Sequence, residues 1–156
     1  MTKRMILLFF ILLNLATIFY FSHQTSKISG KLSSDITSKI EVYTPHYAEK
    51  NEAQQKVVHT QTQYFIRGLA HGVLFFSLGI LTLLFVKTFS INWLWLLGNF
   101  IFGFFIALGD EIHQIFVPGR MFGWDDISYD MLGFSIGMLC VFLLEFTTKY
   151  QKRKTK

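Results

Sequence analysis

Four apolar runs limit what this chain can fold into, because each approaches the ~20 residues a helix needs to cross a bilayer. They define spans at about residues 5–21, 66–86, 91–115 and 127–148 of the 156. Between Ile91 and Gly109 there is no charged side chain. In hydrocarbon every backbone amide must find its partner inside its own segment, so such runs become helices. The wider composition agrees: 51% of residues are hydrophobic, 18 are Phe and only 16% are charged, too few charges for an ordinary soluble domain. The expected fold is all-α. It is a single membrane domain over residues 1–156, a four-helix bundle with an amphipathic segment, 23–63, between spans one and two.

The net charge is +5, and its placement predicts topology. Lys3 and Arg4 precede span one, Lys87 lies between spans two and three, and Lys149, Lys152, Arg153, Lys154 and Lys156 follow span four. The positive-inside rule puts these three regions in the cytoplasm, with both termini inside and the loop 23–63 outside. The basic tail, 149–156, is short and directly follows a span. It reads as a topology signal facing anionic headgroups, not as a nucleic-acid site. Span one is expected to remain uncleaved, since Tyr20-Phe21-Ser22-His23-Gln24 offers no Ala-x-Ala pattern. The single cysteine, Cys140, sits in an apolar stretch and reads as a packed thiol.

Within the outer segment Ile28, Leu32, Ile36 and Ile40 recur at every fourth position, with Tyr43 three further on. This predicts one apolar stripe on a helix. That helix either lies on the membrane or caps the bundle, or else the segment is an amphipathic linker. Pro45 is expected to end it, and from about Tyr47 a new helix is expected to run into span two. Trp93 and Trp95 mark the inner interface and Trp124 the outer one, while Pro118-Gly119 signals the turn that closes span three.

Polar groups gather at one depth. Arg67 and His71 open span two; Asp110, Glu111, His113 and Gln114 close span three; Arg120 lies in the loop; Asp126 and Asp130 open span four. A charge at membrane depth costs roughly 2.5–3.5 kcal/mol on insertion scales, so such a cluster needs a reason. Arg67/His71, Asp110/Gln114 and Asp126/Asp130 are i,i+4 pairs, each on one helix face. Gly103 and Ala107 lie below Glu111, and Gly133 and Gly137 below Asp130, small residues that let membrane helices approach closely. Asp110 and Glu111 also oppose the dipole of the helix they end. The expected object is a polar pocket opening to the outer leaflet. Arg67, His71, Asp110, Glu111, Gln114, Arg120, Asp126 and Asp130 are its candidate ligand-binding residues. The guanidiniums suit a phosphate or carboxylate. Asp125 and His113 have structural explanations at least as good as functional ones. No metal-ligand spacing, nucleophile motif or nucleotide loop occurs, so no metal, cofactor or catalytic residue is assigned.

The run Asp110-Glu111-Ile112-His113-Gln114-Ile115-Phe116-Val117-Pro118-Gly119-Arg120, followed by Asp126, Asp130, Gly133 and Gly137, resembles the signature of VanZ-like membrane proteins. Arg67, Ala70, His71 and Leu78-Gly79 resemble that family's second-span motif, and Ser22, Gln24 and the Ser-rich stretch to Ser34 its first outer loop. The chain departs from the pattern at Gly68, Leu74-Phe75 and Asp125. The resemblance implies a four-span protein of the bacterial cell membrane, in a family associated with reduced susceptibility to teicoplanin-type lipoglycopeptides and with no agreed biochemical activity.

Two classes of function fit the residues, and a third fits less well. The preferred reading is a protein that binds or handles an amphiphilic or lipid-linked molecule at the outer leaflet, with membrane lipids, a lipoglycopeptide or a lipid-linked envelope precursor as partner. The alternative is an enzyme using paired carboxylates for acid–base work on a lipid headgroup. A small proton-linked transporter is the third, and it would need charges deeper in the spans.

Overall fold

The computed structural model describes residues 2–89 and 92–154, which fold into five helices, with no strand among the described residues. The expected start of span three at Ile91 and the end of the basic tail at Thr155 and Lys156 lie outside the described residues. The helices are α1 (Thr2–Ser22), α2 (Ser26–Ile40), α3 (Glu52–Val86), α4 (Trp93–Gln114) and α5 (Trp124–Lys154). α1, α3, α4 and residues 124–148 of α5 are each long and apolar enough to cross a membrane.

Contacts at the two ends fix the helix directions. At one end Ser22 Oγ donates to Asp110 Oδ2 (2.7 Å), joining the end of α1 to the end of α4. At the other, Arg4 donates to the Thr88 hydroxyl and carbonyl (3.0 and 2.6 Å), and Lys87 pairs with Glu145 at 2.7 Å. So α1 and α4 run toward the end that holds the acids, here called the polar end, and α3 and α5 run away from it. Trp93 and Trp95 lie at the far end and Trp124 at the polar end, all well exposed.

The most intimate pair is α3 with α5, and it depends on glycine. A Cβ on Gly133 would lie 2.0 Å from the Gly72 carbonyl oxygen, and one on Gly137 2.2 Å from that of Phe76. With backbones this close, dispersion contacts and not water exclusion hold the bundle in lipid. On α4, Gly103 makes room for the fully buried Phe134 ring of α5, and Ala107 is buried in the same core. Gly68 faces the Tyr129 ring, and Phe75 is fully buried. Many aromatics point outward: Phe9, Phe105, Phe142 and Phe146 are more than half exposed, as suits a surface bathed in acyl chains.

The segment after α1 is a packed helix and not a loose linker. The polar face of α2 docks on the first half of α3. Gln63 donates to the Gly30 carbonyl (2.8 Å) and to Ser33 (3.1 Å), and His59 Nδ1 pairs with Glu41 Oε2 at 2.8 Å. The stripe Ile28, Leu32, Ile36 and Ile40 faces outward, between 40% and 57% exposed, so α2 offers its apolar side to the surroundings. α3 starts later than expected, at Glu52 and not near Tyr47. The reason is a capping box: Asn51 Oδ1 accepts from Gln54 N (2.9 Å) and Gln54 Oε1 from Asn51 N (3.1 Å). Tyr47–Glu49 forms a separate 3-10 turn behind His46, whose φ is +56°. We expect Asn51→Ala to cost about 1 kcal/mol, read as a melting temperature lower by about 2–4 °C in detergent.

Candidate functional site

The site begins with α4 ending one turn below a tight loop. Val117 N bonds to the Gln114 carbonyl and Arg120 N to the Val117 carbonyl, both at 3.0 Å, with Gly119 between them at φ +77°. This reversal swings Arg120 back over the helix end it has just left. α4 thus ends at Gln114, short of Pro118, which lies in the loop.

Gln114, fully buried, joins the charges. Its Nε2 donates to Asp110 Oδ2 (3.0 Å) and to Glu111 Oε1 (2.8 Å), and its Oε1 accepts from Arg120 Nη1 (3.0 Å). The remaining guanidinium donors serve α1: Nε bonds to the Gln24 carbonyl (3.2 Å) and Nη2 to that of Phe21 (3.3 Å). Arg120 therefore caps the C-terminal end of α1, where a positive charge complements the dipole. It is linked to Asp110 and Glu111 only through the neutral amide. Burial lowers its pKa and the charge of Arg67 adds to that, with Asp126, Asp110 and Glu111 acting in the opposite sense.

The apparent misfit of Glu111 also has a physical resolution. It lies at the unfavourable end of α4, but its Oε2 accepts from Gly123 N (2.8 Å) at the threshold of α5. A carboxylate is favoured at a helix N-terminus. Asp126 sits in the first turn of the same helix and meets Arg67 Nη2 at 3.9 Å. His71 Nδ1 approaches Asp130 Oδ1 at 3.6 Å, beyond hydrogen-bond length.

Beside this network lies a cavity of about 460 Å³ between α1, α2 and α3. Ile18, Phe21, Leu32, Ile36, Val73 and Leu74 contribute apolar walls, and Arg67, His71 and Arg120 border it with polar groups. Three of the eight candidates thus reach the cavity. Asp110, Glu111, Gln114 and Asp130 are buried outside its lining, and Asp126 borders a separate groove with Tyr64, Asp125 and Tyr129. The walls of this cavity come from α1, α2 and α3, and no residue of α4 or α5 lines it. Asp125 is exposed at the surface. His113 is turned away, its ring tilted against Phe19 (4.6 Å between centroids) and stacked on His23, with Nε2 3.3 Å from His23 Nδ1.

Reading for ionisable side chains missed Ser22 and three backbone groups, the carbonyls of Phe21 and Gln24 and the N–H of Gly123. Ser22 holds Asp110, and the carbonyls of Phe21 and Gln24 hold Arg120. Ser22 and Gln24 were visible only as part of a family pattern, because a lone Ser hydroxyl is commonplace and a backbone carbonyl leaves no trace in residue type.

Fold and site together define a multi-pass membrane protein whose helix ends enclose a buried ionic network. The family model of VanZ/LLP1 matches residues 7–145, and the chain belongs to that family. No curated protein and no solved structure matches the chain.

Proposed function

We propose that this protein binds an anionic amphiphile in the outer leaflet, head group against Arg67 and tail along the apolar wall formed by α1, α2 and α3. The observation that carries the reading is the cavity itself, apolar along most of its lining and bordered by two guanidiniums and an imidazole. Arg67 is the group best placed to receive an anion. Its Nε is buried without a hydrogen-bond partner, and its ion pair with Asp126, the one it makes among the described residues, is long at 3.9 Å. Arg120 is already committed to Gln114 and the end of α1. The positive-inside pattern of the loops supports an orientation with the polar end away from the cytosol. A lipid-tailed envelope molecule fits these requirements, and VanZ/LLP1 membership supports a link to teicoplanin-type lipoglycopeptides.

The test is deletion and complementation. Cells carrying the wild-type chain should tolerate more teicoplanin than deleted cells, with little change toward a glycopeptide that lacks a lipid tail. Arg67→Ala, produced at wild-type level, should lose the protection. A charge-assisted hydrogen bond contributes about 1.5–3 kcal/mol, so its head-group affinity should fall about 10- to 100-fold. Equal responses to tailed and tail-less drugs would contradict the lipoglycopeptide link. Full activity of Arg67→Ala would contradict the binding mode.

A further inference from the structure

Behind the cavity, where α3, α4 and α5 meet, His71, Asp110 and Asp130 each offer one donor atom, and the three atoms lie within 4.8 Å of one another. All three side chains are buried, Asp130 completely. Neither carboxylate oxygen of Asp130 has a hydrogen-bond partner. An ionised carboxylate taken out of water without donors is among the costliest arrangements a protein can hold. Two other carboxylates of the cluster do have donors: Asp110 takes bonds from Ser22 and Gln114, both on Oδ2, and Glu111 from Gln114 and Gly123.

The charge balance has the same shape. Asp110, Glu111, Asp126 and Asp130 share the polar end with Arg67, Arg120 and His71, and with His71 neutral, as a metal ligand must be, a formal excess of two negative charges remains. Arg67 meets Asp126, and Arg120 spends its donors on Gln114 and the end of α1. Neither arginine reaches Asp130. A single divalent cation would cancel the excess and give the Asp130 oxygens their partner.

We propose that His71, Asp110 and Asp130 bind a divalent transition-metal ion that ties α3, α4 and α5 together at the polar end. One imidazole and two carboxylates suit Zn²⁺ or Mn²⁺ and are poor for the all-oxygen preference of Mg²⁺. Bonds of about 2.1 Å place the donors of one ion about 3.4 Å apart, so atoms now within 4.8 Å of one another need to close by at most about 1.4 Å. Ser22 and Gln114 orient Asp110 from behind, as outer partners orient metal ligands. The ion has ways in, since His71 borders the large cavity and Asp110 a groove between α1 and α4. Residue spacing carried no hint of this, because the ligands come one from each of three helices.

The experiment uses the full chain purified in detergent without chelator, then stripped with EDTA. The purified protein should carry about one Zn or Mn per chain by elemental analysis. The stripped protein should gain about 5–10 °C in melting temperature when ZnCl₂ or MnCl₂ is supplied at a hundred times its dissociation constant, and much less with MgCl₂. Asp130→Asn, which keeps shape and removes charge, should lose both the ion and the shift. His71→Gln should do the same and serves if the first variant does not fold. No ion in the wild-type protein together with no shift from either salt would overturn the proposal, because the acids would then be balanced by protons alone. So would an equal shift from MgCl₂, or an unchanged ion content in both variants.

Discussion

Gln114→Leu should be the most damaging single change at the polar end that leaves every charge in place. The side chains match in size, so the loss is of hydrogen bonds and not of volume. Asp110, Glu111 and Arg120 would each lose the partner they share through this amide. Each would keep another: Ser22 for Asp110, Gly123 N for Glu111, and the carbonyls of Phe21 and Gln24 for Arg120. Bonds to charged groups contribute about 1.5–3 kcal/mol each, and with the remaining partners in place the total should be about 3–5 kcal/mol. The thermal midpoint in detergent should fall by roughly 10 °C, a drop that follows from the size of the chain. A fall under about 2 °C would mean that Gln114 merely fills space.

An effect of the same order is expected for Gly133→Val. There is no room for a first side-chain carbon beside the Gly72 carbonyl, and a β-branched residue adds two more. Overpacking normally costs about 1–3 kcal/mol because neighbouring side chains yield. Here the neighbour is backbone, so α5 must move off α3 as a whole, and the cost should reach or exceed the top of that range. We expect the variant to be degraded in cells or to elute as aggregate. Gly98→Ala is the matched control, since nothing lies within 4 Å of a Cβ there. It should be neutral or slightly stabilising, as alanine is the better helix former. Equal behaviour of the two would show that the close α3–α5 contact is not required.

The spans were legible because hydrocarbon thickness turns into a count of apolar residues, and α1, α3, α4 and α5 follow that count. Gly133 and Gly137 were legible as a packing face, because small residues four apart have few other uses in a membrane helix. The location of the cavity was not legible. It depends on which side of α2 packs, and Ser33, Thr37 and Glu41 turn inward while Leu32 and Ile36 line the opening. In water that choice would be reversed. Beside lipid an apolar stripe has no reason to hide, so the stripe predicted the helix but not its orientation. Arg120 likewise read as a guanidinium for a phosphate or carboxylate, and its main partners proved to be one neutral amide and two carbonyls at the end of α1.

The central claim is that an anionic amphiphile occupies the space bordered by Arg67. The most direct measurement is photocrosslinking in membranes, with a diazirine-tailed alkyl phosphate as probe and mass spectrometry to locate the adducts. The account predicts labels on the cavity walls, at Leu32, Ile36, Val73 and Leu74. It also predicts that labelling falls about 10-fold or more in Arg67→Ala, and that a neutral alkyl glucoside of equal chain length competes poorly. Labels spread evenly over the outward-facing phenylalanines, unchanged by loss of Arg67, would contradict it.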